Sequence, residues 1–395
     1  MNKRYIGLLA SSHFIVDIFQ GALPAMLPFL ISNRNLSYAA AATLVFAANI
    51  SSSIIQPLFG FYADKISIPW LMPLGVLFAG IGVGLVGVLP SYPLILIAAA
   101  ISGIGNAAFH PEGTRIVNSM SGEKKGTGVS TFAAGGNMGF AVGPILTTSI
   151  ILLLGLKGSI LLILPAVIIS LILFVKKSDL YKYESTKTGR ASNSSEAVKD
   201  EWNSFLRLGA AISCRSVIFF GFNTFLPLYW INVFGQSKTA GSTALTILIV
   251  TGAMSTLAAG RLADKFGHRK IIIIGYASLI PLLFIFINIQ NVKLATLMLI
   301  PIAMGLYAPY SPMVVYGQKY LPNHVGLASG VTLGLAVSIG GIFAPILGWI
   351  SDNYSIHTAI SSLAVIPIIA TIISISLPIP QVDLKKTEAG ATLSN

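Results

Sequence analysis

Apolar segments long enough to cross a lipid bilayer recur along this chain from end to end. A helix that crosses about 30 Å of hydrocarbon needs about 20 mostly apolar residues. Twelve such segments can be placed, at residues 5–31, 38–62, 70–90, 92–118, 127–154, 157–175, 204–234, 240–260, 271–289, 293–318, 325–350 and 357–377. Only 10% of the residues are charged, whereas soluble domains carry about 25%. The pattern predicts an all-α integral membrane protein of twelve transmembrane helices and excludes an ordinary soluble domain.

The basic residues predict the orientation of these segments. With both termini in the cytoplasm, 19 of the 25 Lys and Arg residues fall in cytoplasmic stretches and 4 in external loops, while Arg115 and Arg215 lie inside apolar segments. Such an excess of cytoplasmic Lys and Arg is the rule for membrane proteins. The net charge of +12 does not indicate a nucleic-acid partner, because the basic residues do not cluster into a groove. The single cysteine, Cys214, excludes an internal disulfide.

The chain is divided into two similar halves. Three stretches recur at an offset of about 200 residues: Gly21–Pro28 as Gly221–Pro227, Gly60–Lys65 as Gly260–Lys265, and Pro144–Leu146 as Pro345–Leu347. An ordered duplication of this kind is typical of transporters. We therefore predict a six-helix bundle over 1–175, a cytoplasmic linker over 176–203, and a second six-helix bundle with a short polar tail over 204–395.

Ionisable residues inside the apolar segments mark the candidate site. Asp17 lies in the first segment, Glu112 and Arg115 in the fourth, and Arg215 in the seventh. An ionisable group at membrane depth costs several kcal/mol unless it faces protein or water, so a functional role is the default interpretation. His13 precedes Asp17 by four residues and could simply be its partner on the same helix face.

The fourth segment carries its polar residues on two faces. Glu112 and Arg115 are three residues apart and therefore adjacent, whereas His110 is about 200° round the helix from Glu112. Either the pair or His110 faces a central cavity, unless Pro111 distorts the turn. Alternatively, the pair has no role in transport, and Glu112 and Arg115 only neutralise each other.

The loop from Gly260 to Lys270 and its first-half copy resemble the cytoplasmic loop motif of the major facilitator superfamily. The resemblance covers essentially the whole chain, although the first copy departs from the motif after Lys65. It implies the major facilitator fold, with two six-helix bundles and both termini in the cytoplasm. It also implies a gating role for Asp64, Lys65, Asp264, Lys265 and Arg269. The basic residues could instead serve only as topological anchors.

Two further motifs narrow the resemblance. The stretch Gly139–Pro144 is similar to the antiporter motif of drug exporters, in which small residues one turn apart allow close helix packing. The heptapeptide Phe109–Arg115, together with Asp17, resembles the fosmidomycin-resistance branch, whose members are proton-driven drug exporters. The resemblance implies efflux of a small polar or anionic compound, such as a phosphonate-like antibiotic, across the inner (plasma) membrane.

The chemistry of the buried side chains suggests a division of roles. Proton coupling needs groups whose protonation changes in the working pH range, and the candidates are Asp17, Glu112 and His110. A guanidinium group suits a carboxylate, phosphate or phosphonate. The candidate substrate contacts are Arg115, Arg215, Asn223 and Tyr307.

The function predicted from these features is proton-coupled antiport by alternating access between the two bundles. The alternative is a proton-coupled importer of a small organic anion or metabolite. No paired intramembrane aspartates, histidine-rich metal spacing or nucleophile motif points to an enzyme, and we expect no cofactor and no metal. The expected partners are a small-molecule substrate, protons and the lipid bilayer, and the expected assembly is a monomer.

Overall fold

The protein is all-helical in a computed structural model, which describes residues 2–65, 68–121, 125–181, 199–324, 327–328, 331–332, 336–381 and 383. The α-helices with defined bounds are α1 Lys3–Arg34, α2 Tyr38–Lys65, α3 Leu71–Val86, α4 Tyr92–Met120, α5 Lys125–Leu154, α6 Ile163–Tyr181, α7 Trp202–Asn232, α8 Lys238–Phe266, α9 His268–Phe286, α10 Val292–Tyr307, α11 Tyr310–Tyr320, α12 Ala336–Asn353, α13 Ile356–Ser362 and α14 Ile366–Ile375. Short 3₁₀ segments, Leu156–Leu162 and Leu363–Val365, lead into α6 and α14. The all-helical fold class is confirmed.

Ten helical spans in the described part of the chain are long and apolar enough to cross a membrane. In this count α10 and α11 form one span, as do α13 and α14, and the shorter apolar helix α3 stands apart from the ten. The predicted segment 325–350 is described only in part, with α12 as its main helix. The number twelve and the cytoplasmic termini therefore stay predictions.

The sequence duplication reappears in how the helices begin. Ser37 precedes α2, and its Oγ accepts a hydrogen bond from the Ala40 N–H at 3.1 Å. Ser237 precedes α8, and its Oγ accepts from the Ala240 N–H at the same distance. A serine oxygen satisfies one of the donors that a helix start leaves unpaired. The same cap thus sets the start of two helices that are 200 residues apart.

Glycine shapes the turn within the loop motif. Gly267 separates α8 from α9 and has a φ of 95°. A side chain would strain a backbone in that conformation, whereas glycine adopts it freely. The motif residue therefore allows the chain to leave one helix and start the next immediately.

The chain divides into two compact units. The first comprises residues 1–190, 223–250 and 344–356, and the second comprises residues 191–222, 251–343 and 357–395. The first unit thus contains parts of α7, α8 and α12 from the second half of the sequence. The domain boundaries drawn from the sequence stay a prediction.

Close helix packing builds the core of the first unit, where α1 packs against α5 and α4 packs against α2 and α3. A Cβ added at Gly139 on α5 would lie 2.0 Å from the Phe14 carbonyl oxygen on α1, and one added at Gly143 would lie 2.5 Å from that of Ile18. Only residues without a side chain let the two backbones approach this closely. The glycines of the antiporter-like motif therefore hold α5 against α1.

Polar contacts join the stretches of the first unit that come from different sequence halves. The Asp352 carboxylate on α12 accepts hydrogen bonds from the backbone N–H groups of Tyr38 at 2.7 Å and Ala39 at 2.9 Å. It therefore caps the start of α2 from another helix. Lys238 Nζ, at the start of α8, donates to Ser32 Oγ of α1 at 2.8 Å. These ends of the helices are external in the predicted topology.

The second unit is organised around α9, which packs against α10, α11 and α14. The Tyr276 hydroxyl on α9 donates to the Ala211 carbonyl of α7 at 2.8 Å. The stretch after α14 is held in place by side chains, because Arg269 Nε donates to the Leu377 carbonyl at 2.7 Å. Lys319 Nζ contacts Asp383 Oδ2 at 2.8 Å.

A polar contact in the second unit joins the residues before α7 to those after α11. Asp200 accepts hydrogen bonds from the Asn323 N–H at 3.1 Å and from His324 Nδ1 at 2.8 Å. Desolvation alone would raise the pKa of the Asp200 carboxyl, but the hydrogen bonds from Asn323 and His324 outweigh it and lower that pKa below its ordinary value. The carboxylate form therefore stabilises this contact.

Candidate functional site

Two imidazole rings share one carboxylate in the first unit. His13 and Asp17 lie four residues apart on α1, and His13 Nε2 is 3.2 Å from Asp17 Oδ2. His110 on α4 approaches from the other side, with Nε2 3.1 Å from Asp17 Oδ1. Gln20 Nε2 also donates to Asp17 Oδ1 at 3.0 Å. His13, Asp17 and His110 form one cluster, called the Asp17 cluster below.

Each histidine of the cluster has a second acceptor on its far side. His13 Nδ1 is 2.8 Å from the Phe132 carbonyl of α5, and His110 Nδ1 is 2.8 Å from the Asn106 carbonyl one turn earlier on α4. A carbonyl oxygen only accepts, so both Nδ1 atoms must carry the hydrogen. A neutral imidazole has a single N–H and cannot also donate to Asp17. The contacts of the cluster therefore depend on how many protons it holds.

The Asp17 cluster is enclosed by packing. The His13 ring stacks on Phe132 with centroids 4.1 Å apart and meets His110 edge to face at 4.9 Å. A Cβ added at Gly136 on α5 would lie 2.5 Å from Asp17 Oδ2 and 2.5 Å from His13 Nε2. The α5 surface that faces the cluster thus offers a backbone carbonyl, a ring and a glycine. The ionisable groups of the cluster come from α1 and α4.

The cluster is also compact enough to hold a small cation, because its imidazole nitrogens and carboxylate oxygen lie within 4.8 Å of one another. The nitrogen to oxygen separations of 3.1 and 3.2 Å are ordinary hydrogen-bond lengths. The separations are therefore those of hydrogen bonds between the two rings and the carboxylate.

Glu112 and Arg115 form a separate group. Glu112 is fully buried and accepts two hydrogen bonds from Arg115, at 3.0 Å from Nε and 2.7 Å from the terminal nitrogen. The Tyr181 hydroxyl at the end of α6 donates to the same carboxylate. Helix α4 continues through Pro111, so His110 turns towards Asp17 while Glu112 turns towards Tyr181. This is the two-faced arrangement that helical spacing predicted.

Arg215 on α7 has a different environment in the second unit. Its side chain is only 4% exposed, and in the described part of the chain it makes no hydrogen bond or ion pair. The Tyr310 ring centroid is 4.8 Å from the guanidinium carbon, and that of Phe219 is 5.7 Å away. Tyr307 packs on Phe219 at 5.7 Å, and its hydroxyl is buried without a partner among the described residues.

Asn223 belongs to the first unit, and it too has unsatisfied polar atoms. It is 3% exposed, and both its amide nitrogen and its amide oxygen lack a hydrogen-bond partner within the described residues. Buried polar groups are nearly always paired, so an unpaired one indicates a place that a ligand or water fills.

The structure describes the side chains of three of the five predicted gating residues. The side chains of Asp64 and Lys65 lie outside the described part of the chain, although their backbone ends α2. Asp264 is 78% exposed and lies 3.7 Å from His268. Lys265 Nζ is 5.3 Å from the Phe266 ring centroid. Arg269 donates to a backbone carbonyl after α14, as described above.

Sequence reasoning missed several of these contacts. It did not select Tyr181, Phe219, Tyr310 or Asp352 as site residues. A lone aromatic residue in an apolar segment looks like ordinary packing. Asp352 carried a weak signal, because it is an acidic residue at the end of an apolar helix.

Comparison with known proteins identifies the fold and the family. Residues 9–345 match the Major Facilitator Superfamily. The chain belongs to this superfamily. Among superfamily relatives, the uncharacterised transporter YfnC of Bacillus subtilis is 28% identical, over 95% of this chain and 92% of that protein. The fosmidomycin resistance protein of Escherichia coli is 27% identical, over 94% of this chain and 92% of that protein.

Solved structures of superfamily members show the same fold. A bacterial homologue of the human lysosomal transporter Spinster, inward-facing and occupied, superimposes with a TM-score of 0.79 at 14% identity, covering 94% of this chain and 96% of that one. A D-xylose–proton symporter gives 0.71 at 14% identity, covering 94% and 96%. Membership of the superfamily makes the protein a multi-pass membrane transporter and not an enzyme, as the sequence predicted.

Proposed function

We propose that this protein is a proton-coupled antiporter of the inner (plasma) membrane. It exports a small polar or anionic compound by alternating access. The observation that carries the proposal is the Asp17 cluster, in which two histidines share one partly buried carboxylate. The similarity to the fosmidomycin resistance protein of E. coli and to multidrug resistance protein 1 of B. subtilis supports export.

Proton exchange at the Asp17 cluster changes its own contacts. When His13 and His110 are each doubly protonated, each ring donates one hydrogen bond to Asp17. Each also donates one to a backbone carbonyl, that of Phe132 for His13 and that of Asn106 for His110. Loss of a proton removes one of these hydrogen bonds, because the neutral ring has only one N–H to donate. The cluster links α1 to α4 and α5, so its protonation biases how these helices pack. This is the two-state element that coupling requires.

Glu112 and Arg115 take part by exchanging partners. In the structure Glu112 holds Arg115 and Tyr181. Protonation of Glu112 weakens this pair and frees the guanidinium for an anionic substrate. In this scheme Glu112 binds the proton. Arg115 contacts the substrate only after its ion pair with Glu112 has broken.

Substrate recognition centres on Arg215. A buried guanidinium without an ion pair is costly, and an incoming anion removes that cost. The buried hydroxyl of Tyr307 is a further donor for an anion. The Asn223 amide, which has no hydrogen-bond partner among the described residues, offers a donor and an acceptor. A carboxylate, phosphate or phosphonate suits the guanidinium.

Gating in this proposal involves both ends of the helices. On the predicted external side, Asp352 releases the start of α2 when that side opens. On the predicted cytoplasmic side, we assign the gating role to the loop-motif residues Asp64, Lys65, Asp264, Lys265 and Arg269. The bond from Arg269 to the Leu377 carbonyl is one that closure of this side would rearrange.

A vesicle assay tests direction and coupling together. The full-length protein is reconstituted into liposomes, and fosmidomycin movement is measured under an imposed pH gradient of either sign. Antiport predicts that fosmidomycin moves against the direction of proton flow and that Asp17→Asn abolishes the response to the gradient. Gly7→Ala is the matched control on α1, since an added Cβ there has nothing within 4 Å.

Two results would contradict the proposal. Movement of the compound together with protons indicates the importer. Equal transport by the wild type and Asp17→Asn at every pH removes the Asp17 cluster from coupling.

A further inference from the structure

Arg215 is the buried cation whose partner the described residues do not supply. Its Nε is buried and has no hydrogen-bond partner among the described residues, and the side chain is 4% exposed. The aromatic rings beside it attract the guanidinium through cation–π interactions. A ring carries no net charge, so the two rings do not neutralise the buried guanidinium as a carboxylate would.

The rings beside Arg215 are fixed in position. Phe219 lies one turn after Arg215 on α7, and its ring meets that of Tyr307 at 71° with centroids 5.7 Å apart. The Tyr307 ring in turn lies against Gly252 of α8, where an added Cβ would be 2.5 Å from the ring. Tyr310 covers the guanidinium at 4.8 Å. The guanidinium is thus framed by apolar ring surfaces.

Within the described residues, Arg215 brings one positive charge to this position. Arg115, the other arginine inside an apolar segment, is paired through two hydrogen bonds with Glu112. An anion with one negative charge would neutralise Arg215. An anion with two would leave one negative charge uncompensated among aromatic rings, at a cost of several kcal/mol.

We propose that the Arg215 site selects singly charged anions that carry an apolar or aromatic body, with Tyr310 and Phe219 as specificity-determining residues. This inference rests on the proposed role of Arg215 in substrate binding. The matching ligand class comprises carboxylates and singly ionised phosphonates. Their oxygens meet the guanidinium and the Tyr307 hydroxyl, and their bodies lie against the two rings.

The experiment measures binding of four probes to the full-length protein in lipid nanodiscs by calorimetry at pH 8. The probes are phenylphosphonate monomethyl ester with one charge, phenylphosphonate with two, phenylacetate with one, and methylphosphonate monomethyl ester with one charge and no ring. The inference predicts that the singly charged phenyl probes bind about tenfold or more tightly than phenylphosphonate and than the ringless ester.

Variants separate the charge from the rings. Arg215→Gln is expected to lose binding of every probe. Tyr310→Leu is expected to reduce the affinity for the phenyl compounds to that for the ringless ester. Tyr310→Phe, which keeps the ring, is expected to bind the phenyl compounds as tightly as the wild type does. Gly209→Ala on the same helix is the control, because an added Cβ there has nothing within 4 Å.

The outcomes distinguish this inference from the proposed function. Tighter binding of phenylphosphonate than of its monoester refutes single-charge selection, even if Arg215→Gln still abolishes binding. Unchanged binding in Arg215→Gln refutes the role of Arg215 in substrate recognition itself. The comparison of the four probes uses the wild-type protein, so it remains valid even if a variant fails to fold. Absence of binding by all four probes also overturns the inference.

Discussion

Substitution of Gly136 by alanine tests the packing of the Asp17 cluster without removing an ionisable group. The added Cβ would lie 2.5 Å from Asp17 Oδ2 and from His13 Nε2, against an ordinary contact of 3.4 Å or more. The carboxylate and the ring must therefore move by about 1 Å. His13 cannot turn aside freely, because its ring is stacked on Phe132 and bonded to the carbonyl of that residue.

The magnitude follows from two opposing effects. Alanine is favoured over glycine inside a helix by about 1 kcal/mol, while overpacking a filled site costs about 1–3 kcal/mol. At Gly7 only the first effect operates, because an added Cβ meets nothing within 4 Å. We expect Gly136→Ala to be less stable than Gly7→Ala by about 1–3 kcal/mol, a difference in which the helix preference cancels.

Thermal unfolding in detergent measures the stability difference, and proton-driven transport in vesicles measures the functional one. A displacement of about 1 Å in a positioned group can reduce a rate up to about 100-fold. We expect Gly136→Ala to lower proton-driven transport by about 10- to 100-fold and to alter its pH dependence. If Gly136→Ala and Gly7→Ala share the same unfolding temperature and the same pH profile, the tight packing of α5 on the cluster is wrong.

For three further substitutions, the contacts described above determine whether the protein becomes less stable. Glu112→Gln is expected to lower the free energy of unfolding by about 3 kcal/mol, because it leaves the Arg115 charge without its partner; an unchanged unfolding temperature would contradict the pair. Asp200→Asn is expected to lower the unfolding temperature at pH 7 but not in acid. The pKa of Asp200 is lowered by folding, so its stabilisation is complete above its ordinary pKa of about 3.9 and disappears as the pH falls through the lower folded value. A variant difference that persists in strong acid would argue against the role of the His324 contact. Asp352→Asn is expected to cost about 1 kcal/mol of helix capping, and hydrogen–deuterium exchange should show faster exchange at the first amides of α2, with unchanged protection there as the contrary result.

The helical spacing of α4 was enough to predict that its polar residues face two ways. His110 and Glu112 do point to different partners, because the helix remains regular through Pro111. The spacing also allowed Arg115 as a partner of Glu112, but it could not identify partners from other helices. Tyr181 comes from α6, and nothing in its local sequence marks it as the donor to Glu112.

Backbone acceptors explain a second gap between sequence and structure. The carbonyls that orient the two histidines of the cluster belong to Phe132 and Asn106, and every residue type has such a carbonyl. A sequence therefore records the histidines but not what fixes their tautomers. For the same reason Asp352 could not be assigned, since its partners are backbone N–H groups more than 300 residues earlier.

For the two buried arginines, local spacing shows which ion pairs are possible but not which of them form. The separation of three residues between Glu112 and Arg115 allows a pair on one helix face, and the structure contains that pair. The surroundings of Arg215 depend instead on how α7 packs against α10 and α11, which is a long-range property. Sequence patterns identify buried charges well, because charge is rare in apolar segments, but tertiary packing decides which of them are neutralised.

The composition of the first unit has a consequence for how the protein can be made. This unit combines residues 1–190 with 223–250 and 344–356, and side-chain contacts such as those of Asp352 and Lys238 join these stretches. A break in the chain between the two sequence halves removes none of these contacts. Two polypeptides divided there and synthesised in the same cell should therefore reassemble into a working protein, so one gene or two could encode it.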